Sequence, residues 1–263
     1  MELCYKHPQA TTVFLKNLNI KADLAGLTKI LQLFLQFPYE NLTKIINSKT
    51  AKDEASFLRL PEIIVDEHVR FGAGGTCFSL TYFFETILKN IGFVCYTVMV
   101  DRSYGKNRHC ALIVKLDGQK YLVDPGYCLS RPIPLVDKEL EHRLPHNIFT
   151  VLPVGENCYS VATKNSSGVK PRYLLKDAAV TPEVFLKYWK DSFDWPMMGH
   201  LLITRLSEDG YLYLRDDFVR HTTGDSKKQE HIKKNFDKRV TELFGLSPQV
   251  ITLASNIIHE TNG

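Results

Sequence analysis

The sequence predicts an α+β fold, because helical and strand patterns occupy different parts of the 263-residue chain. Apolar residues recur at helical spacing through much of residues 1–90. From residue 93 onward, short runs rich in β-branched and aromatic residues follow one another, and after residue 181 the two patterns are mixed. Such segregation is typical of α+β chains, whereas a doubly wound parallel sheet alternates helices with strands.

The first third of the chain contains three segments with helical spacing. Residues 24–34 carry apolar residues at helical intervals, and Asp23 is the predicted N-cap. A similar pattern covers residues 55–70, where Pro61 is expected in the first turn of a second short helix. After Cys77, apolar side chains share one face of a predicted helix: Phe78, Leu80, Phe83, Phe84, Ile87, Leu88 and Ile91.

The middle of the chain is predicted to form strands. The run at 93–100 is almost wholly apolar, which is typical of a strand buried on both faces. Residues 111–116 and 120–124 are expected to pair as a hairpin, since the Asp117-Gly118 pair between them favours a tight turn. Shorter strand patterns follow at 148–154, 158–163 and 172–175.

The last part of the chain is expected to mix helices and strands. The Thr-Pro-Glu stretch at 181–183 opens a predicted helix over residues 184–193. Residues 201–223 are expected to form a hairpin that turns at Asp209-Gly210. A basic amphipathic helix is then predicted over residues 227–244.

Composition and charge exclude several classes of protein. The chain is 44% hydrophobic and 24% charged, which is ordinary for a soluble globular protein. Its net charge of +4 does not indicate nucleic-acid binding. No run approaches the roughly 18 consecutive apolar residues of a membrane span, and the N-terminus lacks the pattern of a secretory signal. We therefore expect a cytoplasmic protein that binds neither nucleic acid nor membrane.

The cysteine spacing predicts free thiols and no metal site. No CxxC pair and no Cys/His cluster with zinc-ligand spacing occurs in the sequence. In a reducing compartment disulfides are rare, and a free cysteine usually packs as a small buried hydrophobe. The six cysteines are Cys4, Cys77, Cys95, Cys110, Cys128 and Cys158.

Cys77 differs from the other cysteines because it lies where a glycine loop meets a helix. With Thr76 as the predicted N-cap, Cys77 falls in the first helical turn, where unpaired N–H groups and the helix dipole favour a thiolate. Gly74 and Gly75 allow the backbone and a substrate to approach closely. The alternative is a loop glycine pair followed by a core cysteine. The loop lacks the lysine and spacing of a phosphate-binding motif.

The predicted hairpin brings a histidine close to a carboxylate. If Asp117-Gly118 is a two-residue turn, Ala111 lies opposite Asp124, and His109 lies two residues further along on the same face. Diagonal neighbours of this kind are within reach of each other, so Asp124 is expected to orient the His109 ring. The alternative is two strand-end residues satisfied by the backbone. A thiol nucleophile needs such an oriented base, which favours a Cys77–His109–Asp124 triad.

The motifs around these residues resemble those of the arylamine N-acetyltransferases. The family pattern contains Gly-Gly-x-Cys-Phe, then His-x-x-Leu, then Val-Asp-x-Gly, and the chain has matching segments at 74–78, 109–112 and 123–126. The Pro-Tyr-Glu-Asn-Leu stretch at 38–42 is similar to the family's Pro-Phe-Glu-Asn-Leu. The segment at 230–246 is similar to its C-terminal helix.

The resemblance implies a fold and an activity. The implied fold has a cysteine-protease-like Cys-His-Asp core, an N-terminal helical lobe over 1–90, a central β-barrel over 91–180 and a C-terminal α/β lid over 181–263. The implied activity is transfer of an acetyl group from acetyl-CoA to an aromatic amine, hydrazine or N-hydroxyarylamine. Acetyl-CoA is a substrate in this reaction, and no tightly bound cofactor is expected.

The expected substrate contacts come from the segments that flank the triad. Tyr39, Phe78 and Tyr127 are candidate aromatic walls for the acceptor, although each could be a plain core aromatic. The turn Ser103-Tyr104-Gly105 is the candidate contact for the CoA phosphates through its N–H groups. Basic residues near the turn and in the tail are further candidates: Arg102, Lys106, Arg108, Lys227, Lys228, Lys233 and Lys234.

The chain departs from the family pattern beside the nucleophile. The family usually has Arg before the glycine pair and Glu after Cys-Phe, where this chain has Ala73 and Ser79. We interpret the joint absence as the loss of an ion pair outside the triad. Two other functions remain open from sequence: a triad hydrolase or amide synthase with another acyl donor, and a catalytically idle homologue.

Overall fold

The computed structural model of the protein describes residues 3–16, 18–144, 147–165, 168–207, 210–224 and 226–262, and it has the predicted α+β class. Helices occupy most of the first 91 residues, and antiparallel strands dominate the remainder. The first elements are α1 (Pro8–Leu15), α2 (Leu24–Phe34), β1 (Tyr39–Glu40), α3 (Leu42–Thr50), α4 (Glu54–Leu58), α5 (Pro61–Phe71) and α6 (Cys77–Ile91).

The helix boundaries follow the local signals in the sequence. Asp23 caps α2, because its Oδ1 atom accepts a hydrogen bond of 2.7 Å from the Gly26 N–H. Pro61 occupies the first turn of α5, as predicted. Helix α6 is the central helix of this region, and its residues from Cys77 to Leu88 are all buried. Its apolar side chains pack on one side against the other helices and on the other against strands of the adjoining sheet.

An eight-stranded antiparallel sheet follows and curls into a nearly closed barrel. Its spatial order is β5-β4-β3-β2-β9-β8-β7-β6. The strands are β2 (Val94–Arg102), β3 (Gly105–Leu116), β4 (Gln119–Val123), β5 (Ile133–Pro134), β6 (Leu140–Leu144), β7 (Asn147–Gly155), β8 (Cys158–Asn165) and β9 (Gly168–Lys176).

The hairpin formed by β3 and β4 has the predicted register. Leu116 lies opposite Gln119, and Leu112 lies opposite Val123. The turn residues Asp117 and Gly118 have φ angles of 48° and 77°, and left-handed conformations at both positions match the right-handed twist of the strands. Continuing this register toward the end of β4 places Asp124 opposite Ala111, and therefore diagonal to His109.

The C-terminal elements build a second sheet and two terminal helices. The sheet order is β1-β10-β11-β12-β13, so its first strand comes from the N-terminal region. Leu42 and Ile45 of α3 share a core with the C-terminal strands and helices. The elements are α7 (Pro182–Asp191), β10 (Leu202–Ser207), β11 (Gly210–Arg215), β12 (Phe218–Thr223), β13 (Ser226–His231), α8 (Phe236–Phe244) and α9 (Pro248–Asn262).

Two predictions for this region were wrong in part. Residues 226–231 form the exposed edge strand β13 rather than the start of a helix, because they complete the backbone hydrogen bonds of β12. The helix begins only at Phe236, where apolar side chains recur at helical spacing. Residues 202–223 form three strands rather than one hairpin, and Asp209 of the predicted turn lies outside the described residues. None of the described helices combines the length and hydropathy needed to cross a membrane.

Candidate active site

Cys77 is the first residue of α6, at the loop–helix junction that the sequence indicated. Thr76 precedes it in an extended conformation, with φ −90° and ψ 175°, and occupies the N-cap position. The Thr76 side chain makes no capping hydrogen bond, so the first-turn N–H groups lack that partner. Cys77 retains 5% of its surface exposed, which leaves the thiol almost wholly shielded from solvent.

The glycine loop before Cys77 is held by backbone contacts with the start of β1. The Gly75 N–H donates to the Pro38 carbonyl over 3.2 Å, and the Glu40 N–H donates to the Gly75 carbonyl over 2.9 Å. A Cβ atom on Gly74 would lie 1.7 Å from the Pro38 oxygen. Glycine is therefore required at position 74 because the two chain segments pass so close together.

His109 and Asp124 form a buried hydrogen bond. The Nε2 atom of His109 lies 2.8 Å from Oδ2 of Asp124, and both residues are nearly inaccessible to solvent. The Tyr173 hydroxyl donates to the same Oδ2 over 2.9 Å, and the Tyr127 N–H donates to Oδ1 over 3.1 Å. With a carboxylate as acceptor, Nε2 carries the ring proton, and Nδ1 is left for the thiol.

The three triad side chains meet around one glycine. Cys77 lies close enough to His109 for each side chain to shift the pKa of the other. A Cβ atom on Gly126 would lie 2.7 Å from Cε1 of His109, 3.3 Å from Oδ1 of Asp124 and 3.3 Å from Cβ of Cys77. Sulfur, imidazole and carboxylate therefore lie around Gly126, whose missing side chain leaves the space between them.

The electrostatics of the site favour a thiolate–imidazolium pair. The neighbouring Cys110 and then the His109 side chain hold the pKa of Cys77 well below its ordinary value, against the opposing effect of burial. Burial lowers the pKa of His109, but the Asp124 carboxylate outweighs it and raises that pKa to about 9. Lys44 also lowers the pKa of Cys77 where it is protonated, although burial lowers the pKa of Lys44 itself to about 7.

Two groups that sequence reasoning missed contact the triad directly. The Tyr173 hydroxyl, from β9, shares the Asp124 carboxylate with His109. The Cys110 thiol, adjacent to His109 in β3, is fully buried in the same packed cluster as Cys77 and makes the largest contribution to lowering the pKa of Cys77. Neither contact carries a local signal in the sequence, because each depends on the packing of separate elements.

A buried arginine supports the glycine loop. Arg59 is 2% exposed; its Nε donates to Oε2 of Glu67 over 2.7 Å, and its Nη2 lies 2.6 Å from the same oxygen. Its Nη1 atom lies 3.5 Å from Oε1 of the fully buried Glu40. A Cβ atom on Gly75 would lie 3.3 Å from this Nη1 and 2.4 Å from Oγ of Ser79. The region therefore keeps a buried ion pair, although Ala73 and Ser79 carry no charge.

The predicted substrate residues occupy different environments. Tyr127 is half-buried, and its ring makes an edge contact with His109 at a centroid distance of 5.3 Å. Tyr39 is half-buried between the helical core and the core that contains Cys77. Phe78 is fully buried against Phe185 and Trp189 and lines neither of the cavities described next. Its substrate role stays a prediction.

Two cavities lie in the cleft between the two sheets, and they share Arg102, Leu202, Tyr213 and Arg215. Neither is lined by Cys77, His109 or Asp124, but Tyr127, which contacts His109, lines the first. The cationic cavity has a volume of about 680 Å³, and the residues that define it include Arg102, Tyr127, Lys170, Arg172, Arg215 and Arg220. The aromatic cavity has a volume of about 570 Å³, and the residues that define it include Tyr104, Arg108, Trp195, Met197, His200 and Tyr213.

The predicted phosphate turn joins β2 to β3 and ends at Gly105, the first residue of β3. Tyr104 is 65% exposed and lines the aromatic cavity, whereas Ser103 and Gly105 line neither cavity. The role of this turn in donor binding stays a prediction. In the part of the chain that the structure describes, no cluster of His, Cys, Asp and Glu side chains is arranged to hold a metal ion.

Comparison with known proteins decides the family. A sequence model described as N-acetyltransferase matches residues 23–251. The chain belongs to the arylamine N-acetyltransferase family.

Individual arylamine N-acetyltransferases show the extent of the similarity. The chain is 31% identical to arylamine N-acetyltransferase 1 of Oryctolagus cuniculus over 158 residues, which are 55% of this chain and 51% of that protein. It is 25% identical to the arylamine N-acetyltransferase of Escherichia coli K12 over 210 residues, 74% of this chain and 71% of that one. The chain spans about half the length of the mammalian relatives it matches.

Solved arylamine N-acetyltransferase structures share the fold. The Mycobacterium abscessus enzyme superposes with a TM-score of 0.80 over 96% of this chain and 95% of that chain, at 16% identity. The Bacillus cereus enzyme, whose structure is described as revealing a unique Cys-His-Glu catalytic triad, superposes with a TM-score of 0.72 over 90% of this chain and 98% of that chain, at 17% identity.

We predict that Arg59→Gln destabilises this family member by about 3–5 kcal/mol, because it leaves Glu40 buried without its counter-charge. Arg70→Gln is the matched control: its ion pair with Asp66 is about 60% exposed on both sides, and its loss should change the free energy of unfolding by less than about 1 kcal/mol. Urea unfolding of both variants measures the difference, and equal small effects would contradict a supporting role for Arg59.

We also predict that Cys110→Ala shifts the pH profile of the rate at which iodoacetamide alkylates Cys77 upward by about one pH unit, since losing an interaction of roughly 1–1.5 kcal/mol with the thiolate raises the pKa of the thiol by that amount. Cys110→Ser keeps a donor and should react at close to the wild-type rate. Peptide mapping of the alkylated chain identifies the modified thiol. Equal rates in all three proteins would show that Cys110 does not stabilise the thiolate.

Proposed function

We propose that this protein transfers an acetyl group from acetyl-CoA to an aromatic amine, hydrazine or N-hydroxyarylamine by a ping-pong mechanism through acetyl-Cys77. The observation that carries the proposal is the buried line from Cys77 through His109 to Asp124, in a chain of the arylamine N-acetyltransferase family. A thiolate paired with an oriented imidazolium is the form of cysteine that attacks an acyl group.

In the first half-reaction, the Cys77 thiolate attacks the thioester carbonyl. A new C–S bond forms to Cys77, the C–S bond to CoA breaks, and the CoA sulfur leaves with the proton of the His109 imidazolium. The developing oxyanion lies at the start of α6, where the Cys77 N–H and the positive end of the helix dipole are suited to stabilise it.

In the second half-reaction, the amine attacks acetyl-Cys77. His109, now neutral, accepts the proton that the amine releases, and the C–S bond to Cys77 breaks as the amide forms. Asp124 keeps the ring in one orientation and one tautomer through both halves, and Tyr173 helps to fix the carboxylate. The cycle ends with the thiolate and imidazolium restored.

The acceptor would bind in the aromatic cavity, where Trp195 is in edge contact with Phe78 at a centroid distance of 5.8 Å. Tyr39 and Tyr127 would border the reacting amine from positions beside Cys77 and His109. The turn Ser103-Tyr104-Gly105 would offer N–H groups to the donor. Activity in the cytoplasm, as the composition suggests, is part of the proposal.

Incubating the protein with acetyl-CoA and no acceptor should add one acetyl group to the intact chain, as measured by mass spectrometry. Cys77→Ser should abolish the addition, and Asp124→Asn should slow it by a factor on the order of 10³–10⁴, because the ring loses its orientation. Cys158→Ser, which changes a cysteine that the mechanism does not use, is the control. An unchanged mass would contradict acetyl-CoA as the donor, and rapid release of acetate without an amine would favour a hydrolase.

A further inference from the structure

The short connection between α7 and β10 forms one wall of the aromatic cavity. We use the name wall segment for residues 192–200 of this connection, of which Trp195, Pro196, Met197 and His200 line the cavity. The Trp195 ring has the Arg108 guanidinium 4.7 Å from its centre and the Phe78 ring in edge contact. The position of the wall segment therefore decides the shape of this side of the cavity.

The start of helix α3 holds the wall segment at both ends. Asn41, at the N-cap of α3, donates through Nδ2 to the Met197 carbonyl over 2.9 Å and to the His200 carbonyl over 2.8 Å. Lys44, one turn later, donates through Nζ to the Ser192 carbonyl over 2.9 Å and also to the Ser192 hydroxyl. Side chains three residues apart lie on the same side of a helix, so one face of α3 binds both ends of the segment.

The ammonium group of Lys44 is a costly way to hold a loop. Lys44 is 4% exposed, and its Nζ atom contacts neutral groups, namely the two Ser192 oxygens and the Phe193 ring at 4.4 Å from its centre. It forms no ion pair with a carboxylate in the part of the chain that the structure describes. A buried charge without a counter-ion lowers the stability of a folded chain, which indicates that this one is retained for a role beyond packing.

Packing alone already attaches the wall segment to the rest of the protein. The Phe193 ring stacks on Phe57 at a centroid distance of 3.9 Å, and the Ser192 hydroxyl donates to the Trp189 carbonyl. These contacts need no charge. What Lys44 adds is a donor for the buried Ser192 carbonyl, which fixes the direction in which the chain leaves Ser192 toward Trp195.

The charge on Lys44 changes near neutral pH. Burial lowers the pKa of Lys44 to about 7, while Cys77, Cys110 and Asp194 act in the opposite direction from α6, from β3 and from the wall segment. Below that pH the ammonium has three N–H donors, and its hydrogen bonds to Ser192 are charge-assisted. Above it the neutral amine keeps two donors without the charge, so its hold on the wall segment weakens as the pH rises through the pKa.

We propose that Lys44 is a positioning residue for the acceptor: through Ser192 it holds the wall segment so that Trp195 lines the aromatic cavity and contacts the ring of an aromatic amine. The part that concerns the amine rests on the proposed function, whereas the hold of Lys44 on Trp195 does not. Lys44 touches neither the acceptor nor the reacting sulfur in this role and acts through the main chain of the wall segment.

Quenching of tryptophan fluorescence by acrylamide tests the position of Trp195 without any chemistry at Cys77. The chain has two tryptophans, and Trp189 is 1% exposed, so quenching reports mainly on Trp195. At about pH 6, Lys44→Met should raise the quenching constant at least about two-fold, because the wall segment loses its charge-assisted hydrogen bonds. Lys49→Met, an exposed lysine of the same helix, should match the wild type. Equal quenching in all three proteins, each folded by circular dichroism, overturns the proposal.

The wild type supplies a second test that needs no variant to fold. Between about pH 6 and about pH 8.5, its quenching constant should rise with a midpoint near 7, as Lys44 loses its proton. The imidazolium of His109 is retained in this range, because the pKa of His109 is raised to about 9. Where Lys44→Met folds, it should lack this rise. Quenching in the wild type that does not change with pH overturns the charge of Lys44 as the source of the hold.

Steady-state kinetics test the link to the acceptor. At about pH 6, Lys44→Met should raise the KM for an aromatic amine at least about ten-fold, the loss expected for a hydrogen bond to a charged group. The rate at which acetyl-CoA acetylates Cys77 should fall by less than about three-fold, since Cys110 and His109 outweigh Lys44 in holding the thiolate. Hydrazine, an acceptor without a ring to contact Trp195, should keep the wild-type KM.

The outcomes separate this inference from the proposed function. An unchanged KM for the aromatic amine, together with raised quenching, overturns the acceptor as the group that the wall segment positions. An equal rise in KM for hydrazine overturns a contact between Trp195 and the ring. A wild type that acetyl-CoA does not acetylate, with the quenching difference intact, overturns the proposed function and supports the hold of Lys44 on Trp195.

Discussion

The buried hydrogen bond between His109 and Asp124 is the interaction on which the site depends. It fixes the imidazole in one tautomer, directs Nδ1 toward Cys77 and supplies the negative charge that keeps the ring protonated in an interior that would otherwise expel its proton. The β3–β4 hairpin creates this hydrogen bond, and α6 adds the sulfur from a different part of the chain. Cys110, Tyr173 and Gly126 then complete the surroundings.

The structure around Cys77, His109 and Asp124 can be understood from how it accommodates buried charge near these three side chains. Arg59 neutralises Glu40 behind the glycine loop, so that the loop can approach β1 and present Cys77 at the helix start. Four cations that line the cationic cavity, Arg102, Lys170, Arg172 and Arg220, form no ion pair with a carboxylate in the described part of the chain. The buried charges that have a partner of opposite sign support the glycine loop, whereas the cations that lack such a partner line a cavity.

Short-range signals made the core of the site predictable from sequence. Asp117-Gly118 sets a two-residue turn, the turn sets the register, and the register places His109 diagonal to Asp124. Contacts between distant segments were not predictable: Arg59 pairs with the buried Glu40, and Tyr173 reaches Asp124, only through tertiary packing. The polar residues 226–231 were misassigned to a helix because their strand depends on the edge of β12 rather than on their own pattern.

The charge state of His109 tests the central claim most directly. Nuclear magnetic resonance titration of its ring nitrogens in the intact protein, assigned by comparison with His109→Gln, reports when the ring loses its proton. A pKa raised by Asp124 keeps the imidazolium, and so the ion pair with the Cys77 thiolate, through neutral pH, and the ring loses its proton with a pKa of about 9. Loss of the proton near 6.5, the ordinary value for histidine, would contradict the account.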